Sequence, residues 1–115
     1  AINRAKKNYG ESINFFTWDI TKKPNSRFKS FFDLVICNEV LYYINPKYYD
    51  EVKRNIYSLV KSDGHIILSL GHYFTLSDIK KLFHEMEFDY YKKVIRNNKS
   101  YFLIISGRLN NQIGR

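Results

Sequence analysis

Two short apolar runs interrupt an otherwise mixed sequence, and apolar residues at helical spacing lie between them. The runs cover residues 34–37 and 65–70. They are too short for helices but typical of strands buried on both faces of a parallel sheet. Asn45-Pro46 predicts a helix start, with an asparagine cap and a proline in the first turn. The helix predicted over residues 46–61 has an apolar stripe of Tyr49, Val52, Ile56, Leu59 and Val60. The pattern therefore predicts two adjacent parallel strands joined by a helical crossover, with Ser62-Asp63-Gly64 as the turn that ends the helix.

The segments on either side of this unit have periodicities of their own. Residues 1–9 have the spacing of a helix end, and the aromatic and β-branched residues 13–18 predict a strand that ends directly before Asp19. Thr75 and Asp78 form a capping-box pattern. The helix that follows has a predicted buried face of Leu76, Ile79, Leu82, Phe83 and Met86. Residues 88–95 and 100–106 predict a hairpin, because the asparagines between them tolerate the positive φ of a tight turn.

The composition indicates one small globular domain. The chain has 115 residues, 44% of them hydrophobic, which is enough for one modest core. No apolar run approaches the roughly 20 residues that span a bilayer, and the N-terminal residues lack the apolar centre of a signal peptide. The single cysteine, Cys37, forms no internal disulfide and ends an apolar strand. We therefore predict a buried, inert thiol and a cytoplasmic location.

The formal net charge of +8 raises the question of a nucleic-acid partner. The lysines and arginines are spread from Arg4 to Arg115 without a long cationic run, and no signature of a nucleic-acid-binding module accompanies them. Ten tyrosines and nine phenylalanines would provide stacking surfaces for single-stranded RNA, but most of them fall at core periodicities. We therefore predict a basic, solvated surface and favour a small molecule over nucleic acid as the partner.

A polar pair, Asn38-Glu39, follows the first apolar run directly. Ligands of open α/β sheets bind outside the carboxyl ends of the strands, so a carboxamide and a carboxylate at this position are candidates for a binding site. The alternative interpretation is that both side chains only solvate a loop.

The sequence around this pair resembles a known family. Class I S-adenosylmethionine-dependent methyltransferases have a fourth strand and following loop similar to Phe32-Asp33-Leu34-Val35 followed by Asn38-Glu39-Val40-Leu41-Tyr42-Tyr43-Ile44. Within the family, the run 39–43 is most similar to the nodulation N-methyltransferases. The resemblance extends over residues 1–107, which we interpret as a partial methyltransferase domain, with residues 108–115 as a C-terminal tail.

The resemblance implies an α/β fold with a Rossmann-like sheet in the order 3-2-1-4-5-7-6 and a terminal antiparallel hairpin. The family has a glycine-rich turn after its first strand, but the five glycines of this chain are far apart and none follows a first strand. The chain thus resembles the fold without its first two strands. We expect the later part of a longer protein, with a rearranged sheet as the alternative. Without those strands residues 13–18 have no neighbour, and this polypeptide alone is expected to bind the cofactor poorly.

The resemblance also implies S-adenosylmethionine as the cofactor. The cofactor-binding residues that it implies are Trp18, Asp19, Ile20, Asn38, Glu39, Val40 and Tyr43. Asp19 falls where the family's adenine-binding carboxylate lies, and the alternative is an aspartate that only caps a strand. Glu39 and His72 are the candidate catalytic residues, because a carboxylate or imidazole near the methyl group could accept the proton of an amine nucleophile. For His72, an ordinary loop residue is the alternative.

The function implied is methyl transfer to an amine or hydroxyl group of a small molecule or sugar. Enzymes that methylate the amino groups of DNA bases resemble one another in an Asp-Pro-Pro-Tyr pattern, and this sequence departs from it, which argues against DNA as the acceptor. No metal-ligand cluster is recognisable in the sequence. Two alternatives stay open: a catalytically silent methyltransferase-like scaffold, and an RNA methyltransferase that uses the +8 charge.

Overall fold

The computed structural model describes Arg4, Lys7 and residues 13–71, 73–98 and 100–110. The strands are β1 (Phe32–Asn38), β2 (Val60–Gly71), β3 (Met86–Asn97) and β4 (Ser100–Leu109). They form one sheet with the order β1-β2-β4-β3. Helix α1 (Tyr49–Leu59) connects β1 to β2, and helix α2 (Leu76–Leu82) lies between β2 and β3. Short 3-10 turns lie at Ser26–Phe28, Leu41–Tyr43 and Pro46–Tyr48. No helix in these ranges is long and apolar enough to cross a membrane.

β1 and β2 are adjacent and parallel, as the two apolar runs predict. Val35 pairs with Ile66, and Asn38 pairs with Ser69 near the ends of both strands. With α1 between them, the predicted strand–helix–strand unit is confirmed. The carboxyl ends of β1 and β2 therefore meet at one edge of the sheet. We call this edge, with the loops that follow the two strands, the carboxyl edge.

The predicted C-terminal hairpin is also confirmed. β3 pairs antiparallel with β4, and β4 pairs antiparallel with β2. Both strands are longer than predicted: β3 begins at Met86, which the sequence pattern places on a helix, and β4 continues to Leu109, which is 4% exposed. Arg108 and Leu109 therefore belong to the sheet.

Both predicted helix starts have the expected caps. The Asn45 side chain accepts a hydrogen bond from the Lys47 N–H at 3.1 Å, in the turn that leads into α1. Thr75 and Asp78 form a complete capping box, in which each side chain accepts a hydrogen bond from the other residue's N–H at 3.1 Å. α1 ends at Leu59 rather than at residue 61.

Residues 62–64 form an irregularity within β2 instead of the predicted turn. Between two successive pairings of the strands, β1 advances by two residues and β2 by five. A Cβ atom on Gly64 would lie 2.8 Å from the Asp33 carbonyl oxygen, so only glycine allows the two backbones to approach this closely. The turn-like composition therefore marks a bulge and not a chain reversal.

α1 and α2 bury their apolar side chains against one face of the sheet. The core includes Cys37, Val52, Ile56, Ile66, Leu68, Leu70, Ile79, Phe83, Leu103 and Ile105. The prediction that β1 is buried on both faces is wrong. Leu34 and Ile36, which alternate with the core-facing residues, are 47% and 61% exposed. Within the described ranges no helix covers their face of the sheet.

Residues 13–18 do not form the predicted strand but an irregular segment. Ile13, Phe16 and Trp18 are 47%, 60% and 38% exposed. A strand forms only where a neighbour accepts and donates its backbone hydrogen bonds, and the sheet of the described residues has no strand beside this segment. Arg4 and Lys7 are helical, and the rest of the helix end predicted at residues 1–9 lies outside the described residues.

Candidate functional site

Asp19 lies in an exposed turn directly after residues 13–18. Its Oδ1 atom accepts hydrogen bonds from the Thr21 hydroxyl at 2.8 Å and from the Thr21 N–H at 3.0 Å. These two bonds stabilise the charged carboxylate and lower the pKa of Asp19 below its usual range. Because both bonds end on Oδ1, Oδ2 keeps acceptor capacity for a ligand. The carboxylate thus caps its own turn and is ionised, as a ligand-binding role requires.

Asn55 of α1 holds this turn against the body of the protein. Its side-chain amide donates hydrogen bonds to the carbonyl oxygens of Ile20 at 2.8 Å and Lys22 at 2.9 Å. The Trp18 indole N–H donates to the same Lys22 oxygen at 2.9 Å. Asn55 is polar but only 7% exposed. It is a positioning residue for the segment around Asp19, and no local pattern in the sequence marks it.

Replacing Asn55 by Ala should lower the free energy of unfolding by about 1–3 kcal/mol, because two hydrogen bonds are lost. It should also speed amide hydrogen exchange at Thr21 and Lys22, whose N–H groups donate within the turn. Urea unfolding and exchange measured by NMR test the two effects. Asn25→Ala is the matched control, since Asn25 caps an exposed 3-10 turn. Unchanged exchange at Thr21 and Lys22 in the Asn55 variant would contradict the positioning role.

Glu39 has an unusual backbone conformation at the carboxyl edge. Its φ of 60° lies in the left-handed region, which residues other than glycine rarely adopt. Its N–H donates to the Ser69 carbonyl oxygen at 2.8 Å, which extends the pairing of β1 with β2 beyond Asn38. A Cβ atom on Gly71 would lie 3.7 Å from Glu39 Oε2 and 3.8 Å from Oε1, so the carboxylate lies beside the end of β2.

The Glu39 Oε1 atom is buried and has no hydrogen-bond partner within the described part of the protein. A buried acceptor without a donor costs about 1–3 kcal/mol. Such exceptions, together with backbone strain at the same residue, concentrate at sites that a ligand completes. The carboxylate of Glu39 is therefore a candidate ligand contact on structural grounds as well as by sequence position.

Tyrosine side chains from two loops meet beside Glu39. The ring centroid of Tyr42 lies 5.0 Å from that of Tyr43 and 5.3 Å from that of Tyr73, which follows β2. The hydrogen bond with Tyr73 is the main cause that raises the pKa of Tyr42, and the nearby charge of Glu39 adds to it. The Tyr42 hydroxyl therefore stays protonated at neutral pH, so it can donate a hydrogen bond but does not serve as a base.

The other residues singled out by the sequence have varied environments. Asn38 is the exposed last residue of β1, and Val40 packs partly buried against the core. Tyr43 is 80% exposed. Cys37 is buried as predicted, and burial raises the pKa of its thiol to about 11. His72 lies outside the described residues, so its catalytic role stays a prediction.

The predicted site residues within the described ranges lie on two different segments of the chain. The first consists of Trp18, Asp19 and Ile20, and the second of Asn38, Glu39, Val40 and Tyr43. Within the described ranges no hydrogen bond or ion pair joins Asp19 to Glu39. In the same ranges no group of three or more His, Cys, Asp and Glu side chains could hold a metal ion. A ligand that used both groups would have to span the space between them.

Solved methyltransferase structures share this fold. The 1,6-didemethyltoxoflavin-N1-methyltransferase of Burkholderia thailandensis, with bound 1,6-didemethyltoxoflavin and S-adenosylhomocysteine, aligns with a TM-score of 0.78 at 18% identity, over 94% of this chain and 56% of that one. The N-methyltransferase NodS of Bradyrhizobium japonicum, in complex with S-adenosylhomocysteine, aligns with a TM-score of 0.75 at 18% identity, over 94% of this chain and 61% of that one. Magnesium protoporphyrin IX methyltransferase of Synechocystis, with bound S-adenosylmethionine, aligns with a TM-score of 0.70 at 20% identity, over 94% of this chain and 52% of that one.

At these identities the likeness establishes the fold, and the predicted Rossmann-like methyltransferase sheet is confirmed. The chain spans 52–61% of the length of these three structures. No curated protein shows a significant sequence match to it. The family model described as "CheR methyltransferase, SAM binding domain" matches residues 3–92, a range that contains both Asp19 and Glu39. The resemblance at residues 32–44 is thereby confirmed, with S-adenosylmethionine as the cofactor of the family. The chain belongs to the CheR methyltransferase family, within its S-adenosylmethionine-binding domain.

Proposed function

We propose that this chain forms the adenine-binding and acceptor-binding side of an S-adenosylmethionine-dependent methyltransferase that acts on a small molecule. The observation that carries the proposal is the Glu39 carboxylate at the carboxyl edge, whose Oε1 is buried and has no donor among residues 13–71, 73–98 and 100–110. This oxygen suits a ligand that is positively charged or bears an N–H group. A sulfonium cofactor and an amine acceptor each have one of these properties, so the residue fits both.

The turn around Asp19 suits the adenosine end of the cofactor. Its ionised carboxylate is an acceptor for the exocyclic amine of adenine, and the Ile20 N–H is a donor for a ring nitrogen. Asn55 and the Trp18 indole fix the backbone carbonyl groups of this turn at 2.8–2.9 Å. The binding group is therefore arranged before the ligand arrives, which reduces the entropy that binding costs.

Glu39 suits the reacting end. When bound, the cofactor supplies a methyl carbon that is activated by the adjacent positive sulfur. The acceptor nitrogen uses its lone pair to form the new bond to that carbon, the carbon–sulfur bond breaks with its electron pair on sulfur, and the nitrogen gives up a proton. Glu39 is the carboxylate available to accept this proton. Alignment of the two reactants accounts for most of the acceleration in a displacement of this kind.

A small-molecule acceptor agrees with the names of the structural relatives. Two of them are named for 1,6-didemethyltoxoflavin and for magnesium protoporphyrin IX. These relatives are only 18–20% identical to this chain, so they support the class of acceptor and not its identity.

An NMR titration with S-adenosylhomocysteine tests the proposal. We expect chemical-shift changes confined to the amides of residues 18–22 and 38–43, with the β3–β4 hairpin unchanged. In the Asp19→Asn variant, the affinity derived from these changes should be lower. The absence of shifts at millimolar ligand, or shifts only in the hairpin, would overturn the proposal. Cofactor binding without methyl transfer by the full-length protein would instead favour the catalytically silent scaffold.

A further inference from the structure

An aromatic cluster lies at the carboxyl edge beside Glu39. We call it the tyrosine cluster, and it consists of Tyr42, Tyr43, Tyr49, Tyr73 and Phe74. Tyr42, Tyr73 and Tyr43 are 46%, 65% and 80% exposed. Single exposed aromatic side chains are common, but a concentration of them at one edge of a sheet is typical of a binding site. Tyr49 and Phe74 pack against the core, whereas Tyr42, Tyr43 and Tyr73 are not among the described residues that do.

A hollow in this cluster has the size of a small ring compound. Tyr42, Tyr49, Tyr73 and Phe74 line a volume of about 250 Å³. Pockets for drug-sized ligands have about 300–1,000 Å³, so this one suits one or two rings. The ring planes of Tyr42 and Tyr73 meet at 41°, and those of Tyr49 and Phe74 at 45°. Rings at such angles offer faces and edges to a further ring, which are the arrangements that aromatic pairs prefer.

The walls of the hollow are held by hydrogen bonds to the backbone. The Tyr49 hydroxyl donates to the Leu41 carbonyl oxygen at 3.4 Å, and the Tyr101 hydroxyl donates to the Phe74 carbonyl oxygen at 3.1 Å. The Phe74 N–H donates to the Gly71 carbonyl oxygen at 3.2 Å. These bonds tie the loops after β1 and β2 to the helix and the sheet. The hollow is therefore largely formed before a ligand binds, which favours affinity.

The Glu39 carboxylate lies near the hollow. It is beside Gly71, whose carbonyl oxygen accepts the hydrogen bond from Phe74. Asp78 and Lys81 line an adjoining pocket together with Tyr49, Tyr73 and Phe74. Aromatic faces attract cations, and a carboxylate attracts the same groups, so the two together favour a ring that bears an amine. Every side chain that lines the hollow is aromatic. A sugar amine has no aromatic ring, so it lacks the ring–ring contacts that these side chains offer.

We infer that the methyl acceptor is an amine that carries one or two aromatic rings, with the rings in the tyrosine cluster and the nitrogen facing Glu39. This inference rests on the proposed methyltransferase function and narrows its acceptor class. The cluster supplies orientation, and Glu39 supplies the proton acceptor.

Four probes of similar size separate the contributions of ring, charge and hydroxyl groups. They are benzylamine, its saturated counterpart cyclohexylmethylamine, the anion phenylacetate, and glucosamine. NMR titration of the protein should show benzylamine binding about fivefold more tightly than cyclohexylmethylamine, because only the former offers an aromatic face. Phenylacetate and glucosamine should bind more weakly than both benzylamine and cyclohexylmethylamine. Equal affinities for all four probes, or a preference for glucosamine, would overturn the inference.

Variants of Tyr73 locate the binding. Tyr73→Leu keeps an apolar side chain but removes the ring, and should lower the affinity for benzylamine about fivefold. Tyr73→Phe keeps the ring and should change the affinity less than about twofold. Tyr90→Leu is the matched control, because Tyr90 is a comparably exposed tyrosine, 52%, on β3. Unchanged benzylamine affinity in Tyr73→Leu, or an equal loss in Tyr90→Leu, would show that the cluster is not the site.

The same samples separate this inference from the proposed function. S-adenosylhomocysteine is titrated in parallel, and its shifts at residues 18–22 report on the cofactor site. Cofactor binding without selective benzylamine binding would overturn the acceptor class and leave the methyltransferase proposal intact. Selective benzylamine binding without any NMR shift caused by S-adenosylhomocysteine would show a site for ring-bearing amines that does not serve methyl transfer. This result would overturn the acceptor role.

Discussion

Replacing Glu39 by Gln in the full-length protein is expected to lower the turnover number for methyl transfer by about 100-fold. Glutamine keeps the size and much of the hydrogen-bonding capacity of the side chain but removes its charge and basicity. The amine nitrogen then loses the group that accepts its proton. The cofactor's dissociation constant should change less than the turnover number, because the proposed adenine contacts are made by the separate turn around Asp19.

Asp19→Asn is the matched comparison for Glu39→Gln, since each change converts a carboxylate to its amide. It should raise the apparent dissociation constant for the cofactor while leaving turnover at saturation close to that of the wild type. Steady-state kinetics with varied cofactor, together with calorimetric titration of S-adenosylhomocysteine, separates the two effects. If Glu39→Gln turned over normally but bound cofactor weakly, Glu39 would be a cofactor contact, and the proton would go to His72 or to water.

Replacing Glu85 by Ala is expected to lower the free energy of unfolding by about 1.5–3 kcal/mol, because the buried Lys53 ammonium loses its closer carboxylate partner. Lys53 Nζ lies 3.0 Å from Glu85 Oε2 and 3.7 Å from Asp50 Oδ1, and the Lys53 side chain is only 8% exposed. The Tyr57 hydroxyl donates to the other Glu85 carboxylate oxygen at 3.0 Å. Asp33→Ala is the control, since Asp33 pairs with Lys61 in an exposed ion pair worth about 0–1 kcal/mol. Urea unfolding of both variants gives the comparison.

The effect of the Glu85 substitution should depend on pH. Burial opposes ionisation of this carboxyl group, but the hydrogen bonds from Lys53 and Tyr57 outweigh it, and the pKa of Glu85 is lowered. The ion pair therefore contributes its full stability above the pKa of an unfolded glutamate, about 4.3, and loses it as the pH falls through the lower pKa of the folded state. The difference between wild type and variant should narrow in acid. A difference below about 1 kcal/mol at neutral pH would mean that Asp50 or water replaces Glu85 as the partner of Lys53.

The parts of the fold that were predicted correctly depend on residues close together in the sequence. The Asn45 and Thr75 caps, the crossover between β1 and β2, and the C-terminal hairpin all have local signals, because a cap or a tight turn is made within a few residues. Gly64 shows the limit of such signals. The same Ser-Asp-Gly composition suits a turn or a bulge, and only the approach of the β1 backbone decides between them.

The parts that were predicted wrongly depend on distant neighbours. Residues 13–18 have the composition of a strand, yet they form none, because strand formation requires a partner that local composition does not reveal. The exposure of Leu34 and Ile36 has the same origin, since an apolar run is identical whether one or both of its faces are covered.

The candidate site divides in the same way. Glu39 was identified because it follows an apolar strand, and this position alone makes it a candidate. Asn55 was missed because its two acceptors lie 33 and 35 residues away, and a polar residue on a helix ordinarily indicates a solvent-facing position. Tyr42 and Tyr73 were missed because aromatic residues in loops have the same sequence signal as core residues. Their position directly after two parallel strands was the available clue.

The single tryptophan of the chain is Trp18. Its indole N–H is bonded to the Lys22 carbonyl oxygen, and its side chain is 38% exposed in the turn that Asn55 holds. All indole fluorescence of these 115 residues therefore originates beside Asp19. Loosening of the turn would expose the ring to water and shift its emission to longer wavelength, whereas an adenine ring stacked on it would quench that emission. This polypeptide thus carries its own optical reporter at the proposed adenine site, and the kinetics of occupancy there can be followed without a dye.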